Sequence, residues 1–151
     1  MPRTIILTHH YPASADDVWA LATDLDSFPE VMKGVATFTG LPGGQIAQGQ
    51  KISVQVSILG ILPAQPYHMD VVECDPAARM FRSLEHGAGV KSWQHELTVT
   101  PTETGATLTD HVIINAGLLT PLFVLWARYV YGARHKPRLR LLQHPPNGPY
   151  V

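Results

Sequence analysis

The 151-residue chain predicts a single α+β domain: an antiparallel, curved sheet of about seven strands wrapping a long C-terminal helix, with two short helices after the first strand. Three observations carry this. Apolar types make up 45% of the residues, enough for one sizeable core. Between residues 35 and 115 the hydrophobic pattern has period two and is cut repeatedly by Gly, Pro and Asp turn signals. After Gly117 the period changes to that of a helix.

The elements follow in order. Thr4 to Tyr11 is β-branched and aromatic enough for a strand, and Pro12-Ala13-Ser14 breaks it. Ser14 is a good N-cap, Asp16 and Asp17 suit the positive end of a helix, and Val18, Leu21 and Ala22 supply an apolar stripe, which predicts a helix over 15–23. Asp26 or Ser27 caps a second short helix from Phe28 to Lys33, with Pro29 in its first turn and Gly34 as its stop. Strands are expected at Val35–Leu41, Lys51–Leu59, Pro66–Glu73, Met80–His86, Lys91–Thr100 and Ala106–Asn115. The connections are short, so neighbouring strands are expected to pair as antiparallel hairpins. After Gly117 a helical pattern is expected to run through Pro121, in its first turn, to about His135, burying Leu119, Phe123, Trp126 and Val130 opposite Arg128, with Pro137 kinking or ending it. The domain is then residues 1–142, and 143–151 form a Pro-rich irregular tail.

Composition excludes several classes. Charged residues are only 15%, against about 25% in an average soluble domain. That deficit argues against disorder and for apolar surface devoted to a cavity or a partner. Eleven cations against twelve acids leave a net charge of −1, so no basic field exists to hold nucleic acid. Eight histidines place the adjustable charge near neutral pH. The lone Cys74, beside Asp75-Pro76, has no disulfide partner, no companion for a Cys-based zinc site and no activating motif. His9 and His10 are adjacent on a strand and face opposite ways, and no metal-binding His spacing occurs, so no metal is expected. The Gly43-Gly44 turn leads into a strand rather than a helix, so no nucleotide cofactor is expected either. A short apolar run, Ile5 to Leu7, predicts no secretory leader, and Val112 to Ala127 contains Asn115, Thr120 and Pro121, which argues against a membrane span. A cytoplasmic location is the expectation.

Residue identities add a resemblance. The opening Tyr11-Pro12-Ala13-Ser14-Ala15-Asp16-Asp17-Val18-Trp19-Ala20-Leu21, with Asp24 and Asp26-Ser27-Phe28-Pro29-Glu30, resembles SRPBCC (START/Bet v 1-like) proteins. Gly89 to Leu97, Thr107 to Val112 and the closing Arg134-His135 resemble the polyketide cyclase/dehydrase-like branch of that superfamily. The resemblance covers residues 3 to about 142 and implies the helix-grip fold. It is weaker for function, because such proteins include lipid carriers, ligand sensors, quinone-binding proteins and cyclases.

Alternation places the candidate chemistry. Trp93, His95, Leu97 and Val99 share one face of their strand, and Leu108, Asp110, Val112 and Ile114 share one face of the next. Both faces are read as inner, so His95 and Asp110 can pair, the carboxylate fixing the imidazole tautomer and raising its basicity; the alternative is that His95 is a satisfied core histidine or that Asp110 caps backbone amides near a helix end. Tyr67, Met69, Trp93, Phe123 and Trp126 are candidates for the lining of an apolar pocket of several hundred Å³, or are plain core. Arg134, Lys136, Arg138 and Arg140 form either a basic helix end or a peripheral membrane contact. The first expectation is therefore a protein that binds or carries a hydrophobic or aromatic small molecule, lipid-, polyketide- or quinone-like. The alternatives are a cyclase or dehydratase using His95 and Asp110, and a membrane-associated stress protein without small-molecule chemistry.

Overall fold

The structure, a computed structural model, describes residues 1–144. The element order is β1 (Arg3–Tyr11), α1 (Ala15–Ala22), α2 (Phe28–Val31), β2 (Ala36–Thr39), β3 (Lys51–Ile58), β4 (Gln65–Asp75), β5 (Met80–Gly87), β6 (Val90–Thr102), β7 (Gly105–Asn115), a 3-10 turn (Gly117–Leu119), α3 (Thr120–Ala133) and α4 (His135–Gln143). The seven strands form one sheet in the order β1-β7-β6-β5-β4-β3-β2, every pair antiparallel. Each neighbouring pair from β2 to β7 is a hairpin, and only β1 has to cross to the far side of β7. The chain makes that crossing through α1 and α2, which span the gap between the two sheet edges. This is the helix-grip fold.

Local chemistry explains the helix starts. Ser14 accepts the backbone N–H of Asp17 at 3.1 Å, and Asp16 and Asp17 lie in the first turn of α1. At the β5–β6 turn Gly87 has φ +120°, and a side chain there would run into the Pro66 carbonyl, so only glycine closes this hairpin.

The last helix departs from expectation. Helical residues continue past Pro137 to Gln143, and the axis is interrupted between Ala133 and His135 instead. Pro137 has no N–H for the Ala133 carbonyl and its ring crowds that oxygen, so the break falls one turn before the proline. The ladder resumes where the Arg138 N–H reaches the Arg134 carbonyl at 3.1 Å. Gln143, expected to open the irregular tail, therefore closes α4; residues 145–151 of that tail lie outside the described residues. Leu119, expected on the buried stripe, is exposed in the 3-10 turn, because α3 begins one residue later.

The buried side of α3 presents Val124, Ala127 and Tyr131 to Ile5, Val112 and Ile114 of β1 and β7 and to Trp93 of β6. On the opposite half of the sheet, Ile52 and Val54 of β3 pack with Leu25 and loop and strand residues instead of α3, and Val56 joins the cluster that includes Val130 of α3. The helix thus seats on one half of the sheet and stands off from the other. That gap is the cavity.

Candidate active site and ligand cavity

The cavity has a volume of about 180 Å³, smaller than the several hundred expected. Its walls are mainly apolar: Ile52, Val54 and Val56 of β3, Tyr67 and Met69 of β4, Trp93 of β6, Phe123, Trp126 and Val130 of α3, and Phe28 and Met32. All five residues proposed from sequence as lining, Tyr67, Met69, Trp93, Phe123 and Trp126, border it, as does His95.

His95 and Asp110 meet. In the β6–β7 register His95 lies opposite Val112 and Asp110 opposite Leu97, so the two are diagonal neighbours on the inner face, within reach of longer side chains. His95 Nε2 and Asp110 Oδ1 are 2.7 Å apart, with His95 4% and Asp110 0% exposed. Burial by itself pushes the Asp110 pKa up, but the hydrogen bond and charge of His95 and the positive charges of Arg138 and Arg134 outweigh it and hold the carboxyl below its ordinary range. An ionised Asp110 can only accept, so Nε2 carries the hydrogen and Nδ1 is the free ring nitrogen. The two residues are not equivalent toward a ligand: His95 borders the cavity, whereas Asp110 stands behind it. Phe81 meets the imidazole edge-on at 5.5 Å between ring centres, and Tyr131 lies 4.9 Å from it.

Further polar groups on this face escaped sequence reasoning. Tyr67 donates its hydroxyl to Glu85 Oε1 at 2.8 Å and Ser83 donates to Oε2 at 2.6 Å, so both oxygens of Glu85 are occupied. Burial, and after it the nearby Glu85, pushes the Tyr67 hydroxyl well up, which keeps it a donor. Trp93 Nε1–H donates to the Tyr131 hydroxyl at 3.1 Å, fixing an indole that would otherwise leave a buried donor unmet. A signal existed for Glu85 and Ser83: both share the parity of Phe81, an inward residue, on β5.

The C-terminal cations divide. Lys136 and Arg140 are exposed, but Arg138 is 3% exposed and, with Arg134, lines the cavity. Arg134 and Arg138 are four apart, one helical turn, and continue the inward face that Val130 and Tyr131 begin. This corrects the expectation of one basic surface through Arg134, Lys136, Arg138 and Arg140, because two of the four point inward. The Arg134 guanidinium carbon stands 4.5 Å from the Tyr131 ring centre and 5.2 Å from that of Phe28.

Among the described residues no three His, Cys, Asp or Glu side chains are grouped to hold a metal ion, and no helix is long and apolar enough to cross a membrane. Cys74 is partly buried, its thiol pushed up by burial and by Asp75, which keeps it protonated.

Comparison with solved structures supports the fold. Ara h 8.0201 superposes with a TM-score of 0.74 at 10% identity, over 95% of this chain and 100% of its own. A protein from Rhodobacter sphaeroides gives 0.73 at 14% identity, over 94% and 93%. Norcoclaurine synthase from Thalictrum flavum, in complex with dopamine and hydroxybenzaldehyde, gives 0.65 at 18% identity, over 95% and 88%. A sequence search of curated proteins finds no match. The model of the family described as polyketide cyclase / dehydrase and lipid transport matches residues 3–143, nearly the whole described chain, and the protein belongs to that family.

Proposed function

We propose that the protein binds a small hydrophobic or aromatic molecule in the cavity between α3 and the β2–β5 half of the sheet. The observation that carries this reading is the cavity itself: a concave, mostly apolar space with a few fixed polar groups is the usual make-up of a small-molecule site. Its volume sets the ligand class. A dry cavity of about 150 Å³ holds benzene, so about 180 Å³ suits one ring with a short substituent or a compact bicycle. The single-ring compounds in the norcoclaurine synthase complex agree with that scale. A panel of such arenes should raise the melting temperature, since ligand at a hundred times Kd adds about 2.7 kcal/mol. Val54→Phe, which fills the cavity, should abolish the shift. Absence of a shift with every arene at saturating concentration refutes the reading.

A second reading, acid-base catalysis of the cyclase or dehydratase type, is favoured by the 2.7 Å contact between His95 and Asp110. In it His95 Nδ1 takes or gives the proton at the ligand, and Asp110 stabilises the imidazolium without touching the substrate. Asp110→Asn would then remove turnover while leaving ligand affinity nearly unchanged, whereas a carrier shows no turnover to lose.

A further inference from the structure

The two inward arginines each carry an unmet buried donor. Nε of Arg134 and Nε of Arg138 are both buried without a hydrogen-bond partner among the described residues. Neither guanidinium takes part in any of the ion pairs among those residues. Arg138 does lie near the Tyr11 hydroxyl, but outside ordinary hydrogen-bond geometry. Buried guanidinium donors left unmet are costly, and an arginine stays charged even when burial draws its pKa down, as it does for Arg134.

The carboxyl groups nearby offset part of this positive charge without bonding to either guanidinium. Glu85 already accepts from Tyr67 and Ser83 with both oxygens. Asp110 engages His95 and does not border the cavity. Two guanidinium groups, each with an unpartnered Nε, therefore line the cavity one turn apart on the same helical face. The Arg134 plane is held between the rings of Phe28 and Tyr131, which limits its freedom before any ligand arrives. Arginine in such a setting matches a planar, singly charged carboxylate better than a phosphate, whose larger charge would also face Glu85 in the cavity wall.

We propose that the cavity is a site for a small aromatic carboxylate, its anionic group held by Arg134 and Arg138 and its ring against the apolar walls beside His95. This rests on the cavity reading above and names its ligand class. The carboxylate end sits near the imidazole, because the Tyr131 ring contacts both His95 and Arg134.

The test uses the full chain and three probes followed by NMR titration: benzoate, its neutral analogue benzamide, and toluene. Benzoate is expected to saturate at least tenfold more tightly than benzamide, and Arg134→Gln and Arg138→Gln each to remove that preference while toluene still binds. Arg140→Gln, on the exposed face, should leave it intact. Equal affinity for benzoate and benzamide, with toluene bound, overturns the carboxylate assignment and leaves the apolar cavity standing. Failure of all three probes overturns both. An equal loss of benzoate in Arg140→Gln also overturns the assignment, since it places the anion on the surface. Because Arg138 is buried and its variant can fail to fold, the comparison of benzoate with benzamide in the unaltered protein decides the matter by itself.

Discussion

Removing His95 tests whether the His95–Asp110 contact holds a buried charge. Asp110 is fully buried, its Oδ2 already lacks a partner among the described residues, and its Oδ1 relies on His95. His95→Ala therefore strands an ionised carboxylate, a class of change that costs about 3–5 kcal/mol. At about 2–4 °C per kcal/mol for a chain of this size, the melting temperature should fall by roughly 6–20 °C. The neighbouring positive charges of Arg138 and Arg134 place the expected loss in the lower half of that span. Asp110→Ala removes the same contact from the other side, and the double variant has no stranded carboxylate at all. Urea denaturation of the four proteins at pH 7 should give a coupling energy of about 1.5–3 kcal/mol, the value of a hydrogen bond to a charged group. Additivity to within about 0.5 kcal/mol refutes the argument and reduces the pair to a crowded contact.

Two further outcomes follow from local features. His9 and His135 stack at 4.9 Å, and burial lowers the pKa of each, so both are more easily kept neutral in the folded state than in the unfolded one. Their contribution is complete above the ordinary histidine value of about 6.5 and is lost as pH falls below it; urea midpoints should drop between pH 7 and pH 5, and His9→Gln should flatten that slope. Gly87→Ala meets the Pro66 carbonyl at φ +120°, whereas Gly34, at φ +83°, faces open space. The first substitution should cost several times the second, which is expected to stay near 1 kcal/mol, as read by chemical denaturation.

Period-two alternation placed the inner faces correctly because both faces of β6 and β7 differ sharply in polarity. Trp93, His95, Leu97, Val99, Leu108, Asp110, Val112 and Ile114 are all buried. The contact between His95 and Asp110 needed one more fact, the diagonal register of the hairpin, which is fixed by the length of the turn at residues 103–104 and is not visible in residue types. Cavity size was also hidden. An apolar excess announces a space or a large core alike, and the difference is set by how far α3 stands off from β3 and β4.

The basic C-terminus shows how a charge run misleads when the helix period is dropped. A cluster of arginines reads as a solvated face on composition, since charged residues are seldom fully buried. Period 3.6 separates them instead. Ala127, Tyr131, Arg134 and Arg138 fall on one face at spacings of four, three and four, while Arg128, Lys136 and Arg140 fall on the other. The interruption at Arg134 does not break this phase, because Pro137 costs the helix one hydrogen bond and a bend rather than a residue. Had the chain ended its helix at His135, Arg138 would have no fixed direction, and the cavity would lack one of its two guanidinium groups. The helix thus runs on past the proline that looked like a terminator and turns a second arginine inward, so Arg138 belongs to the site as much as to the end of the fold.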